Sequence, residues 1–215
     1  MTTQTLIVIP AKSKSNRLPN KNMRLLNGMT LVERAVKVCV ETGLNADICV
    51  SSDSDEILTI ASKYKSVILH KRDLALCADG IEVDQILETI TSYVERITGK
   101  YYNEIVFKEC CTPFTTPSTM HRICNSDIKG MHGAIAWVKL PGWYAQNSIV
   151  GLHPLNFNSH WRKTHAHVYQ LCCPGKFIRE IVRDYTKLDA TKFVTIEADP
   201  VEGLGIETPE QYAYA

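Results

Sequence analysis

Residues 6–22 constrain this chain more than any other stretch. Leu6 to Ile9 is a short apolar run rich in β-branched residues, the pattern of a strand buried on both faces. The chain then turns abruptly polar. Lys12, Lys14, Arg17 and Lys21 put four positive charges into ten positions, with Ser13, Ser15 and Asn16 between them. Small residues leave backbone N–H groups open and the cations supply charge, so the loop suits a polyphosphate. In an α/β sheet, the loop leaving the end of a buried parallel strand is where ligands bind. The loop contains neither Gly-x-x-x-x-Gly-Lys-Ser/Thr nor Gly-x-Gly-x-x-Gly, so it is neither a Walker A loop nor a dinucleotide fingerprint.

The rest of the chain narrows the class. Its 215 residues make one domain, or one with an insertion, able to bury a sizeable core. The net charge of +1 keeps the basic character local and argues against a general nucleic-acid binder. No apolar run approaches the roughly 18 residues of a membrane span. The start, Met-Thr-Thr-Gln-Thr, leads straight into the first strand, so a cytoplasmic protein with reduced cysteines is expected. The eight cysteines include the adjacent pairs Cys110-Cys111 and Cys172-Cys173 but no Cys-x-x-Cys. His165, His167, Cys172 and Cys173 are close in sequence, but their spacing fits no usual zinc pattern.

Periodicity and punctuation predict alternating strands and helices, hence an α/β fold with a mainly parallel sheet. Thr30 with Glu33 reads as a capping box opening a helix that ends near Gly43. Strands are expected at 46–50, 66–69, 104–108, 133–139 and 193–198, and helices at 57–64, 82–97, 121–128 and 174–185. The last of these takes Pro174 as its first-turn residue. The acids of Ser52-Asp53-Ser54-Asp55-Glu56 read first as helix capping. Residues 140–161 read as loop, with Trp143, Tyr144, Phe157 and Trp161 needing something to pack against.

Ile-Pro-Ala-Lys-Ser-Lys-Ser-Asn-Arg-Leu-Pro-Asn-Lys-Asn, residues 9–22, resembles the signature of the acylneuraminate cytidylyltransferases, Ile-Pro-Ala-Arg-Gly-Gly-Ser-Lys-Gly-Ile-Pro-Gly-Lys-Asn. Pro10, Ala11, Ser15, Pro19, Lys21 and Asn22 match outright. Lys12 stands for Arg, and Ser13-Lys14 for Gly-Gly. His70-Lys71-Arg72-Asp73-Leu74-Ala75 is similar to the family's Arg-Pro-x-x-Leu-Ala, which makes Arg72 a nucleotide contact. At Lys108-Glu109-Cys110-Cys111-Thr112-Pro113 the family reads Leu-Gln-Pro-Thr-Ser-Pro, so Glu109 replaces a nucleotide-contacting glutamine. A carboxylate there repels a triphosphate unless a metal or a lysine offsets it. Lys108 is a candidate, although strand alternation aims it at the opposite face. His165 and Tyr169 fall where the family has Asn-Gly-Ala-Ile-Tyr beside the acceptor sugar. The ending Gly205-Ile206-Glu207-Thr208-Pro209-Glu210 resembles Asp-Ile-Asp-Thr-Pro-Glu, whose two aspartates hold magnesium. One carboxylate, Glu207, remains, with Glu109 as a replacement for the other.

The resemblance implies a Rossmann-like nucleotidyltransferase fold over residues 1–215, with a projecting dimerisation segment at about 140–162 and a homodimer. It implies cytidylyl transfer from CTP to a nonulosonic sugar acid, with Mg2+ and release of pyrophosphate. Lys21 and Lys12 would be the catalytic cations. Ala11, Lys12, Ser13, Ser15, Arg17, Asn22, Arg72 and Glu109 would bind nucleotide, His165 and Tyr169 the sugar, and Glu207 the metal. The alternatives are a non-catalytic relative that binds nucleotide or sugar, and a cytidylyltransferase for Kdo or pseudaminic acid.

Overall fold

Strand β1 (Thr5–Pro10) is the axis of the sheet. Leu6 and Val8 enter one apolar layer with Leu87, Ile90 and Val94, while Ile7 and Ile9 enter the other with Val32, Val36 and Met120. Burial on both faces follows from the unbroken apolar run. The computed structural model describes residues 4–78, 80–140, 145–148, 151–154, 168–189 and 191–215, with backbone alone for 139–140, 145–148, 151–154 and 168–173.

After β1 come a 3-10 turn (Lys21–Met23), short strands β2 (Leu25–Leu26) and β3 (Met29–Thr30), α1 (Leu31–Glu41), β4 (Asp47–Ser52), α2 (Asp55–Ala61), β5 (Val67–Lys71) and a 3-10 turn (Leu74–Cys77). Next are α3 (Val83–Thr98), β6 (Glu104–Phe107), α4 (Pro117–Cys124), β7 (Gly133–Leu140), β8 (Ala145–Ser148) and β9 (Gly151–Pro154). The chain closes with β10 (Val168–Ile178), α5 (Arg179–Arg183), a 3-10 turn (Tyr185–Lys187), β11 (Phe193–Glu197), a 3-10 turn (Pro200–Gly203) and α6 (Pro209–Tyr214).

The main sheet has the order β11-β7-β10-β6-β1-β4-β5. It is parallel except at β10, which is antiparallel to both β6 and β7. The chain runs outward from β1 through β4 to β5. It then crosses by α3 to β6 on the other side of β1. The order therefore reverses between β1 and β6, the kind of crevice where open α/β sheets take ligands. Among the described residues no helix is long and apolar enough to cross a membrane.

Thr30 caps α1, its Oγ1 accepting from the Glu33 N–H at 3.2 Å, which is one half of the expected capping box; the Glu33 carboxylate lies 3.6 Å from Lys63. Three expectations need correction. The helix at 174–185 is absent up to residue 178: β10 runs through Pro174, and only Arg179–Arg183 is helical. Pro174 lies in a register shift between Cys172 and Gly175, where a residue without an N–H loses no ladder bond. The helix expected at 121–128 begins earlier, at Pro117, because Thr116 caps it through the Thr119 N–H. The stretch from Leu140 is not all loop: β7 reaches Leu140, and β8 and β9 pair as an antiparallel hairpin. Trp143, Tyr144, Phe157 and Trp161 lie outside the described residues, as does His165.

Helix α5 is tied to α3 by Arg179, which is 3% exposed. Its guanidinium pairs with Glu88 and with Glu95, the latter at 3.2 Å. Removing one partner of a buried ion pair leaves the others badly solvated. Both glutamates keep some water here, so Arg179→Met is expected to cost about 2 kcal/mol, somewhat below the range for fully buried pairs. Urea unfolding should show the lower midpoint, and adding Glu95→Gln should recover part of the loss.

Candidate active site

A cavity of about 380 Å³ opens at the carboxyl ends of β1 and β6. That is within the roughly 300–1,000 Å³ usual for small-molecule sites. Val83, Ile86 and Phe107 give it an apolar wall. Lys12, Arg17, Lys21 and Arg72 supply four cationic side chains, and Glu109 and Glu207 two carboxylates. The excess of cations suits a ligand of several negative charges. A larger concavity of about 1,370 Å³, lined by Thr5, Glu104, Ser126 and His132 among others, lies at the opposite end of the sheet. It is away from the switch point, and Lys176 at its floor is consumed by Glu104 and by the Cys124 and Ser126 carbonyls.

The loop after β1 is held from two sides. Asn22 is buried and donates from Nδ2 to the Lys12 carbonyl at 2.8 Å. Asp53, just beyond β4, accepts the Ser13 N–H at 2.7 Å and also the Ser13 hydroxyl. The sheet sets up this meeting. Pro10 pairs with Ser51, and the Ala11 N–H extends the ladder by one bond to the Ser51 carbonyl, so the two loops leave side by side. The helix cap expected of Asp53 is supplied by Ser54, whose hydroxyl accepts the Ile57 N–H. Asp55 and Glu56 do lie in the first turn of α2.

Glu207 is brought in from the far end of the chain. Glu202, 3% exposed, accepts the Thr116 N–H and the Thr119 hydroxyl, fixing the C-terminal segment to the start of α4. The Ile206 N–H then donates to the Cys111 carbonyl at 2.7 Å. Lys108 shapes the facing loop. Its buried ammonium donates to the Glu109 and Thr112 carbonyls and to the Thr112 hydroxyl, so it folds the main chain beneath Glu109.

Glu207 Oε2 accepts from Lys21 Nζ at 2.8 Å and from Arg17 Nη2 at 2.7 Å. Burial works to raise its pKa, but the Lys21 and Cys111 hydrogen bonds and the charges of Lys21 and Arg17 outweigh that and hold it below the usual carboxylate range. Cys111 stands between the two carboxylates and donates to Glu109 Oε2 at 3.4 Å. Burial first, and then the charges of Glu109 and Glu207, push this thiol well up, so it stays protonated. Two carboxylates facing one cavity fit a hard divalent cation that is completed by phosphate oxygens and water. Among the described residues no three His, Cys, Asp or Glu side chains gather to hold a metal by themselves. Arg72 is 4% exposed; one end donates to the Ser51 carbonyl, and its Nε has no hydrogen-bond partner among the described residues. Burial lowers its pKa against the opposing pull of nearby Cys77, Asp53 and Cys110.

Of the residues expected to bind nucleotide or metal, Lys12, Ser15, Arg17, Lys21, Asn22, Arg72, Glu109 and Glu207 line the cavity together. Ala11 is buried at the end of β1 and Ser13 faces Asp53. Tyr169 sits on β10 opposite Lys139. The sequence reading passed over Asp53 as a loop brace, and also Glu202. The signal for Asp53 was its place just past a buried strand adjacent to β1.

The six described cysteines are thiols outside any disulfide. Burial pushes Cys49 and Cys110 up to about 12, and Cys124 likewise. Thiolate is the reactive form, so these sites are inert at neutral pH. Titration without reductant should find eight thiols after denaturation, the number in the sequence, and far fewer reacting quickly in the native protein. Stoichiometric zinc or fewer than eight thiols would contradict this.

A cationic loop at the switch point of a mainly parallel sheet, faced by two carboxylates, sits on a Rossmann-like α/β fold of the nucleotidyltransferase kind. Residues 6–100 match the cytidylyltransferase family. CMP-N,N'-diacetyllegionaminic acid synthase of Legionella pneumophila is 25% identical over 158 residues, 73% of this chain and 60% of the relative. Pseudaminic acid cytidylyltransferase of Campylobacter jejuni is 26% identical over 125 residues, 58% of this chain and 50% of the relative. The chain thus spans about half to three-fifths of the length of these curated relatives. Two solved structures share the fold. CMP:2-keto-3-deoxy-manno-octonic acid synthetase complexed with CTP has a TM-score of 0.71 at 14% identity, covering 99% of this chain and 96% of its own. 4-Diphosphocytidyl-2C-methyl-D-erythritol synthase has a TM-score of 0.73 at 10% identity, covering 100% and 97%.

Proposed function

We propose that this protein transfers a cytidylyl group from CTP to a nonulosonic sugar acid. The sugar hydroxyl attacks the α-phosphate, and pyrophosphate leaves. The observation that carries the reading is the convergence of Lys12, Lys21 and Arg17 from the first loop with Arg72, Glu109 and Glu207 in one cavity. The relatives named above support cytidylyl transfer and a sugar acid as acceptor.

Lys21 and Lys12 stabilise charge that builds on the phosphates as the leaving group departs. Ser15, Asn22 and Arg72 orient the nucleotide, and the apolar wall of Val83, Ile86 and Phe107 excludes water from one side of it. Glu207 and Glu109 would hold a divalent cation, Mg2+ in this reading. That ion would neutralise the phosphates, as phosphoryl-type transfers require. Glu207 pairs with Lys21 and Arg17, the two cations that a phosphate would also meet. A triphosphate would compete with Glu207 for these two cations, and Glu207 would then be one of the residues available to hold the metal. His165 and Tyr169 belong to the sugar subsite in this proposal. Residues 140–162 form the dimer contact, and sedimentation should give twice the chain mass at micromolar concentration. A monomer would contradict the dimer alone.

The test is pyrophosphate release with CTP and Mg2+ against sialic, legionaminic and pseudaminic acids and Kdo. Release with one of these is expected. A non-catalytic binder is the second reading, favoured by the neutralised state of Glu207, and it predicts CTP binding with no pyrophosphate from any acid.

A further inference from the structure

Asp53 has no place in the reaction as just described, yet it makes the most specific contact to the loop that does. It accepts both donors of one residue, the Ser13 N–H at 2.7 Å and the Ser13 hydroxyl. A carboxylate that takes two donors from one residue fixes the direction of that residue as well as its distance. Ser13 stands in the middle of the cationic run, one residue after Lys12 and two before Ser15. Pinning it therefore sets the path of the chain on both sides. The other side of Asp53 is also built in. Its own carbonyl accepts from Lys71 Nζ at 3.0 Å, and the Arg72 charge lies close by. Burial works to raise the Asp53 pKa, but the bonds from Ser13, its own amide and the Arg72 charge outweigh it, so the group is ionised at neutral pH.

We propose that Asp53 is a positioning residue that holds the anion-binding loop in its gripping shape by two-point capture of Ser13. An acidic side chain beside a triphosphate site is a cost in charge. That cost is offset here by Arg72, and what it secures is a loop ordered before the ligand arrives. Preorganisation of this kind strengthens binding by removing the ordering cost. With both donors of Ser13 engaged, Ser13 acts as the loop's anchor and Lys12, Ser15 and Lys21 as its ligand-facing groups. The identity of the ligand rests on the cytidylyl-transfer reading; the loop anchoring does not.

Two readouts separate them. Trypsin cuts after exposed Lys14 and Arg17 when the loop opens, so cleavage reports loop order without any substrate. Asp53→Asn is expected to speed cleavage at these sites by about tenfold, the scale of one charge-assisted bond. It should raise KM for CTP by a similar factor, with kcat, KM for the sugar acid and Tm close to wild type. Ser13→Ala removes the hydroxyl contact alone and should give a smaller effect in the same direction. Asp53→Glu, which keeps the charge, should recover part of the loss. Wild-type cleavage rates and CTP KM in both Asp53→Asn and Ser13→Ala would overturn the inference. So would a drop in Tm with cleavage throughout the chain, which would make Asp53 a general stability residue. If Asp53→Asn does not fold, Ser13→Ala decides by the same cleavage ratio. If wild type makes no pyrophosphate, the functional reading fails, and cleavage still decides the anchoring.

Discussion

Lys21→Ala is expected to lower kcat/KM for CTP by about tenfold to a hundredfold. A charge-assisted contact to phosphate is worth roughly 1.5–3 kcal/mol, and about 1.4 kcal/mol is a factor of ten. The 3-10 turn of Lys21–Met23 and the buried Asn22 beside it hold the ammonium at the cavity wall, where it is 15% exposed. Part of the contact strengthens only as charge moves onto pyrophosphate, so kcat should fall along with CTP affinity. The structure adds a pH signature. Glu207 has a lowered pKa, so the stability it gains from Lys21 is present above the usual carboxylate pKa and is lost as pH falls through the lower, folded value. The stability difference between wild type and Lys21→Ala should therefore shrink on acidification below the ordinary carboxylate range. Kinetics within twofold of wild type would remove Lys21 from the phosphate site.

The fold was legible where the sequence pattern had one solution. The apolar run Leu6–Ile9 followed by a cationic loop is a buried parallel strand delivering a ligand loop, and β1 is that strand. Thr30 announced its helix because a hydroxyl just before an amphipathic stretch can take the free N–H of the first turn, here that of Glu33. The expectation failed at Pro174. A proline opens a helix and sits in a bulge for the same reason, the missing N–H, and local sequence does not distinguish these uses. The partner that decides is β7, some forty residues earlier in the chain.

The site was legible in its cations and less so in its carboxylates. Lys12, Arg17 and Lys21 lie in one stretch, whereas Glu109 and Glu207 are brought to one cavity by long-range contacts such as the Ile206–Cys111 hydrogen bond and the Glu202 anchor. Asp53 was misassigned because a run of acids before a helix has a local use as a cap. Its actual partner, Ser13, is forty positions away and is brought near only by the pairing of β1 with β4. Lys108 shows the converse. The strand alternation that aimed it away from Glu109 was sound, and its ammonium is spent on main-chain carbonyls.

Glu207→Gln is expected to raise the Mg2+ concentration for half-maximal activity by about a hundredfold or more. Loss of a group that only supports a metal ligand costs about 10–100-fold, so loss of a ligand charge should reach the top of that range. The amide keeps the size of the carboxylate and the Ile206–Cys111 bond that places it, so the fold should stand. CTP should bind without metal at least as well as in wild type, because Lys21 and Arg17 no longer have a carboxylate competing with phosphate. Opposite movement of metal requirement and metal-free CTP affinity is the signature of a residue that changes partners. A uniform loss of both would make Glu207 a scaffold for Lys21 instead. Gly205 offers a second arm. Among the described residues a Cβ there meets nothing nearer than the Cys111 carbonyl at 3.8 Å, so an aspartate at 205 has room beside the cavity. Gly205→Asp in the Glu207→Gln background should restore part of the Mg2+ response if the C-terminal segment supplies the metal's carboxylate. No recovery, with the protein folded, would leave Glu109 as the ligand that matters.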